Sequence, residues 1–225
     1  MPFRTLAKFG KVKPSSNTNG EFIEAPKKEK NIDSSIVLDT IKKRRSVRAY
    51  TDASVSAGII KRLIESASYA PSAGNTQPWE FIVVRDPEQK KNIGGCVYGQ
   101  NWIETAPVII VACINMRLAK AVYRERGERL YGIQAVAAAV ENLMIAAESL
   151  GLGTCWIGSF NETKLSVLLD CPTYVRPSVI VTLGWPAEKP RMPHRQDMKE
   201  IYHEEKFGQS LFDQQTFDAK TRTFP

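Results

Sequence analysis

The sequence predicts an α+β domain built in layers around one core. Three observations carry that expectation. Helix-period and strand-period apolar patterns alternate along the chain without internal repeats, Val108–Ala112 and Ser178–Leu183 read as buried strands, and Ile133–Leu150 reads as a helix apolar on nearly every face. A helix of that kind belongs at the centre of a fold. With 225 residues, 43% of them hydrophobic, the chain can build such a core and still carry appendages.

From Ser34 onward, Ile36, Leu38 and Ile41 set a helical pattern that ends in the basic cluster Lys42, Lys43, Arg44, Arg45. A second helix follows from Ile59, Ile60, Leu63, Ile64 and Ala67, and Pro71 stops it. The stretch Ala70–Trp79, APSAGNTQPW, is a loop, because Pro71 disfavours helical geometry in the residue before it while Gly74 and Asn75 favour turns. Phe81–Val84 is a strand bounded by Asp86-Pro87, with Trp79 and Phe81 assigned to the core, and Pro107 introduces the strand from Val108. The segment Asn115–Gly132 is charged and lacks a dominant period. The long helix from Ile133 meets Gly151 where a C-terminal cap belongs. Thr154–Ile157 as a strand, Asn161–Leu169 as a short helix and the strand Ser178–Leu183 complete the core.

The organisation is therefore an N-terminal extension over 1–33, a folded domain over 34–203 and a tail over 204–225. Residues 1–30 hold seven basic and three acidic side chains, so of the net charge of +7 only +3 belongs to the other 195 residues. That weakens any case for nucleic-acid binding by the folded body. The extension lacks sustained periodicity and reads as loosely ordered; scarce arginine and the lack of an amphipathic face weigh against an organelle-targeting leader, leaving a cytoplasmic protein as the expectation. The longest apolar run, Ala106–Ile114, is too short to span a bilayer, so no membrane segment is expected. Cys96, Cys113, Cys155 and Cys171 show no C-x-x-C spacing, and with only two histidines neither a zinc site nor a disulfide framework is suggested. In the tail region, Tyr202, Phe207, Leu211, Phe212, Phe217 and Phe224 are expected to pack on something, a partner subunit being the candidate.

Several catalytic patterns are missing. There is no P-loop and no G-x-S-x-G elbow, and Gly151-Leu152-Gly153 ends a helix where a dinucleotide fingerprint would begin one. Cys155 reads as a small buried hydrophobe. An enzyme without these sets would rely on a bound cofactor. RRSVR at Arg44–Arg48 puts three guanidiniums and a hydroxyl within five residues, which by themselves read first as a solvated basic surface and also suit a phosphate, while nucleic-acid contact lacks interleaved aromatic residues.

Four stretches taken together, RRSVRAY at 44–50, APSAGNTQPWEFIVV at 70–84, SLGLGTCWIGSF at 149–160 and VIVTLGWPAEKP at 179–190, resemble the nitroreductase family of FMN-dependent oxidoreductases in order and spacing. The resemblance spans about residues 34–203 and implies a central mixed sheet flanked by helices in a domain-swapped homodimer. It further implies that Pro71, Ser72, Ala73 and Asn75 line the flavin, and that Arg44, Arg45, Ser46 and Arg48 contact its phosphate and ring edge. Arg195 would close on the phosphate, with Arg191 as its competitor. Trp156, Ile157 and Gly158 would lay backbone along the ring, the Gly158 N–H facing N5. The implied reaction is ping-pong: NADH or NADPH gives hydride to FMN, and an electron-poor small molecule, nitroaromatic or quinone-like, then takes it. Biosynthetic relatives (flavin-fragmenting or azoline-oxidising) and a flavin-binding protein without turnover are the alternatives. Gln89–Gln100 is too short for the substrate lid of the deiodinase branch, so a halotyrosine substrate is not expected. Arg124–Tyr131 reads either as a substrate-side wall or as an exposed charged loop.

Overall fold

The computed structural model describes residues 35–209, which divide into two units at Lys42/Lys43. The expectations for 1–33 and for Leu211, Phe212, Phe217 and Phe224 lie outside the described residues. The first unit contributes most of helix α1 (Ile36–Lys43), where the Thr40 hydroxyl donates to the Ile36 carbonyl at 2.7 Å.

Every other element belongs to the second unit. Helix α2 (Ala57–Ser68) is capped by Ser56, whose hydroxyl accepts from the Ile59 N–H, and it ends before the loop, as Pro71 requires. Strand β1 (Trp79–Val84) leads into helix α3 (Pro87–Gly94), which the sequence reading did not assign; Asp86 caps it and Pro87 occupies its first turn. Strand β2 (Val108–Asn115) is followed by α4 (Met116–Arg126), a wide helical turn over Gly127–Tyr131, and α5 (Gly132–Ser149). Then come β3 (Gly153–Ile157), α6 (Glu162–Leu168), β4 (Val175–Gly184) and the short α7 (Met198–Ile201).

The segment after Asn115, in which the sequence shows no dominant period, is therefore helical. Its period is obscured because the helix breaks at Arg124, whose φ of 49° and ψ of −129° leave the helical region. By length and composition Met116–Ser149 could cross a membrane. Instead Val136, Ala139, Val140, Leu143, Met144 and Ala147 of α5 are buried against the sheet and α2, as a central helix should be. Its end is a Schellman motif: Gly151, at φ 77°, donates to Glu148, and Leu152 reaches back to the Ala147 carbonyl.

The sheet order is β1-β2-β4-β3, and all three ladders are antiparallel. The mixed sheet implied by the resemblance is thus not formed by these strands; parallel pairing enters as the isolated bridge between Ser46 and Thr154. Alternation splits β2 and β4 between two layers. Ile110, Ala112, Ile114, Val181 and Leu183 face α2 and α5, whereas Ile109, Val111, Cys113 and Ile180 join Ile93 and Leu165 on the other side. Covered on both faces, β2 needs an unbroken apolar run, which is what made it legible. Trp79 and Phe81 pack, half-buried, against the first of these layers.

Candidate functional site

Residues 44–50 are held along the outer edge of β3. The Val47 N–H donates to the Thr154 carbonyl at 2.9 Å, Thr51 N–H donates to the Trp185 carbonyl, and Ala187 N–H donates to the Ala49 carbonyl. Such approach needs small residues. Gly153 and Gly184 sit opposite each other in the β3–β4 ladder, and a β-carbon on Gly153 would lie 2.8 Å from Val47 Cβ. Beneath the segment, the Tyr50 hydroxyl donates to the Val47 carbonyl at 2.6 Å and lies 2.7 Å from Thr182 Oγ1. Burial pushes the Tyr50 pKa well up, so the phenol stays neutral.

Glu188 locks this arrangement. Its Oε1 accepts from the Arg48 N–H at 2.6 Å and the Ala49 N–H at 3.1 Å, joining the turn after β4 to the arginine segment. The result is a cavity of about 270 Å³ lined by Arg44, Arg45, Ser46, Arg48, Pro190, Arg191, Pro193 and Arg195. Arg191 and Arg195, competitors on sequence, both line it. Arg44 is oriented by Glu141 of α5 at 3.5 Å, and the Arg45 guanidinium donates to the Arg44 carbonyl at 2.7 Å. Arg48 is exposed, with its guanidinium 5.9 Å from the Trp102 ring centroid. Five guanidiniums and a serine around a space of this size form a donor set for a phosphate. Cys155 lies below, its pKa raised by burial and drawn down by Arg48, Ser46 and Arg44.

The loop makes a second cavity. Pro71, Ser72 and Ala73 line a space of about 300 Å³ with Tyr131, Gln134, Ala135 and Ala138. The loop is self-braced: Ser72 Oγ accepts from the Gln77 N–H at 3.0 Å, and Asn75 Oδ1 accepts from the Gln77 amide at 3.2 Å. Asn75 and Gln77 adopt φ values of 53° and 46°, and the Tyr123 ring lies against Gly74. Ala73, Ala135 and Ala138 contribute short side chains to its lining. The two cavities share no lining residue. Asn75 itself is exposed and lines neither.

At β3 the alternation separates the expected residues. Ile157 is buried in the second core layer, while Trp156 is 38% exposed and Gly158, just past the strand, is also exposed. Because Thr154 turns its backbone outward to Val47, the two-residue period aims the backbone of Trp156 along the same open edge. Among the described residues no group of three His, Cys, Asp or Glu side chains is placed to hold a metal.

The nitroreductase family model matches residues 41–103 and 95–185, covering all four motifs of the sequence up to residue 185. The chain belongs to the nitroreductase family. Its relatives include an FMN reductase [NAD(P)H] of Bacillus subtilis, 33% identical over 184 residues that make up 76% of this chain and 74% of that protein. An NADH dehydrogenase of Thermus thermophilus is 31% identical over 186 residues, 71% of this chain and 91% of its own. Among solved structures, B. megaterium NfrA2 aligns with a TM-score of 0.73 at 31% identity, covering 77% of this chain and 76% of that one. Membership bears out the fold and the FMN-dependent, NAD(P)H-driven oxidoreduction that the motifs implied.

For a nitroreductase-family chain, the residues that sequence reasoning missed are Glu188 and the Tyr50–Thr182 pair. Glu188 and Tyr50 are positioning groups linked to their partners across more than a hundred residues, a distance over which local patterns carry no signal. Of the segment Arg124–Tyr131, read either as a substrate-side wall or as an exposed charged loop, Tyr131 lines the loop cavity.

Proposed function

We propose that this nitroreductase-family protein passes electrons from NADH or NADPH through FMN to a small electron-poor acceptor with a nitro or quinone-like group. The observation that carries the reading is the arginine cavity, whose donor set fits a phosphate better than any other group on the family's ligand. Arg44, Arg45, Ser46 and Arg48 would hold the FMN phosphate, with Arg195 and Arg191 closing over it. The Pro71–Ala73 backbone and the Asn75 amide would meet the ring, and the open edge of β3 at Trp156–Gly158 would supply backbone donors along it.

FMN, when bound, supplies a carrier for two electrons between the nicotinamide and the second substrate. The chain's own groups orient and polarise. Guanidiniums and outward N–H groups favour negative charge accumulating beside them, and Ala73, Ala135 and Ala138 admit a planar partner while excluding water. Separate cavities for the phosphate group and the ring loop support a homodimer in which each flavin site draws on two copies.

The test is anaerobic. Purified protein should be yellow, bleach on addition of NADH or NADPH, and recover its colour with a nitroaromatic or a quinone. Protein that takes up no FMN would sink the proposal; yellow protein inert to both nucleotides would remove the nicotinamide step. Light scattering on the same sample should give twice the chain mass.

A further inference from the structure

Tyr131 has a hydroxyl that packing does not explain. Its ring is held edge-on by Tyr123, with centroids 5.0 Å apart and planes at 83°, and that contact accounts for the ring's position in the wall of the loop cavity. The oxygen is engaged separately. Arg126 Nε donates to it at 2.7 Å, and the same guanidinium lies 5.3 Å from the ring centroid. Nearby, Lys120 pairs with Glu128 at 2.6 Å and Arg129 with Glu125 at 2.8 Å. Arg126 is thus the cation turned to the phenol.

A phenol has one proton to donate and lone pairs to accept with. Here a cation occupies the acceptor side, which orients the hydroxyl and strengthens it as a donor. Among the described residues the proton meets no acceptor. Tyr131 is half-buried as a residue and lines the cavity together with Pro71–Ala73, so its polarised phenol belongs to the wall that an entering molecule meets. The short alanine side chains leave room for a small ring, and the donor suits an oxygen on its rim.

We infer that Tyr131, held by Arg126, is a specificity-determining residue that donates a hydrogen bond to the oxygen of a planar acceptor, a quinone carbonyl or a nitro group, in the loop cavity. This rests on the oxidoreductase reading above. No proton leaves Tyr131; the hydrogen bond favours the negative charge that grows on the substrate oxygen as electrons arrive. An acceptor that takes electrons without presenting such an oxygen gains nothing from it.

The experiment compares the FMN-loaded wild type with Tyr131→Phe and Arg126→Ala. Four quantities are read: anaerobic bleaching by NADPH or NADH, kcat/KM for 1,4-benzoquinone, kcat/KM for ferricyanide, and the Kd of nitrobenzene for the oxidised protein from its visible spectrum. Tyr131→Phe should lose about five- to tenfold in kcat/KM for the quinone and in nitrobenzene affinity, the size of one hydrogen bond. Bleaching, FMN retention and ferricyanide reduction should hold within twofold. Arg126→Ala should move the same two quantities in the same direction by less. Unchanged quinone and nitrobenzene values in Tyr131→Phe overturn the inference, and so does a uniform loss across bleaching, FMN retention and both acceptors, which would make Tyr131 a flavin or packing residue. A wild type that holds no FMN or never bleaches defeats the oxidoreductase reading first, before any variant is compared.

Discussion

The arginine cavity and the loop cavity are built in different ways. The first is assembled from two distant segments, 44–51 and 185–195, clamped to each other and to β3 by backbone hydrogen bonds and by Glu188. The second also joins distant segments, but among the described residues no hydrogen bond ties them: Ser72, Asn75 and Gln77 brace the loop from within, while Tyr131 comes from the wide turn after Arg124 and Gln134, Ala135 and Ala138 from the start of α5. The difference teaches where rigidity is placed. The side expected to bind a constant phosphate rides on the sheet edge, and the side expected to meet changing substrates sets an exposed loop and a broken helical turn against the fixed start of α5.

The largest effect should come from removing the close approach on which the first region depends. A β-carbon on Gly184 would lie 2.6 Å from Pro107 Cδ and 2.8 Å from Tyr50 Cδ1. Gly184→Ala should therefore cost about 2–3 kcal/mol in urea unfolding, typical of overpacking, and lower FMN affinity with it. Stability equal to wild type would show that the clamp has slack.

Next in size is Arg45→Ala, expected to weaken FMN binding by about 1.5 kcal/mol in a fluorescence titration, near the lower end for a charged hydrogen bond because the side chain is half-exposed. The same change should leave the Tyr131-dependent acceptor preference alone. If acceptor preference shifts as much as FMN affinity, the two regions are one site energetically.

Alkaline pH should strike the sheet side. Tyr50, with an ordinary value of 10.0, and Cys113, raised from 9.0 to about 12, both have folded pKa values pushed up chiefly by burial. Folding thus favours their protonated forms, and the unfolded chain loses its protons first. The contribution is complete below pH 9 and is lost as pH rises from there towards 12, at up to about 1.4 kcal/mol per pH unit for each group. Denaturant midpoints at pH 8 and pH 10.5 check this, and Cys113→Ala should shallow the slope.

Glu188→Ala should weaken FMN affinity about fivefold by freeing the Arg48 and Ala49 N–H groups, while Glu188→Gln, which keeps an accepting oxygen, recovers most of it. Equal loss in both variants would assign the effect to charge. Smallest is Ser72→Ala, expected to cost about 0.5–1 kcal/mol of loop order and to alter acceptor turnover more than FMN binding.

By itself the sequence determined the elements whose period or punctuation is strong. β2 is apolar throughout because both its faces are buried, α5 carries a continuous buried stripe from Gly132 to Ala147, and Pro71, Gly74 and Gly151 mark turns because their backbone preferences act within a few residues. The four motifs likewise named the family and most of the residues around the arginine cavity. Only the tertiary structure decided the rest. It turned the featureless stretch after Asn115 into helix, because packing can hold a break at Arg124 that no period announces. It brought Arg191 and Arg195 to the same cavity, set Glu188 under Arg48, and separated the arginines from the Pro71–Ala73 loop. Those are contacts between residues far apart in the chain, fixed by sheet register and by the glycines that let one backbone lie against another, and no local pattern records them.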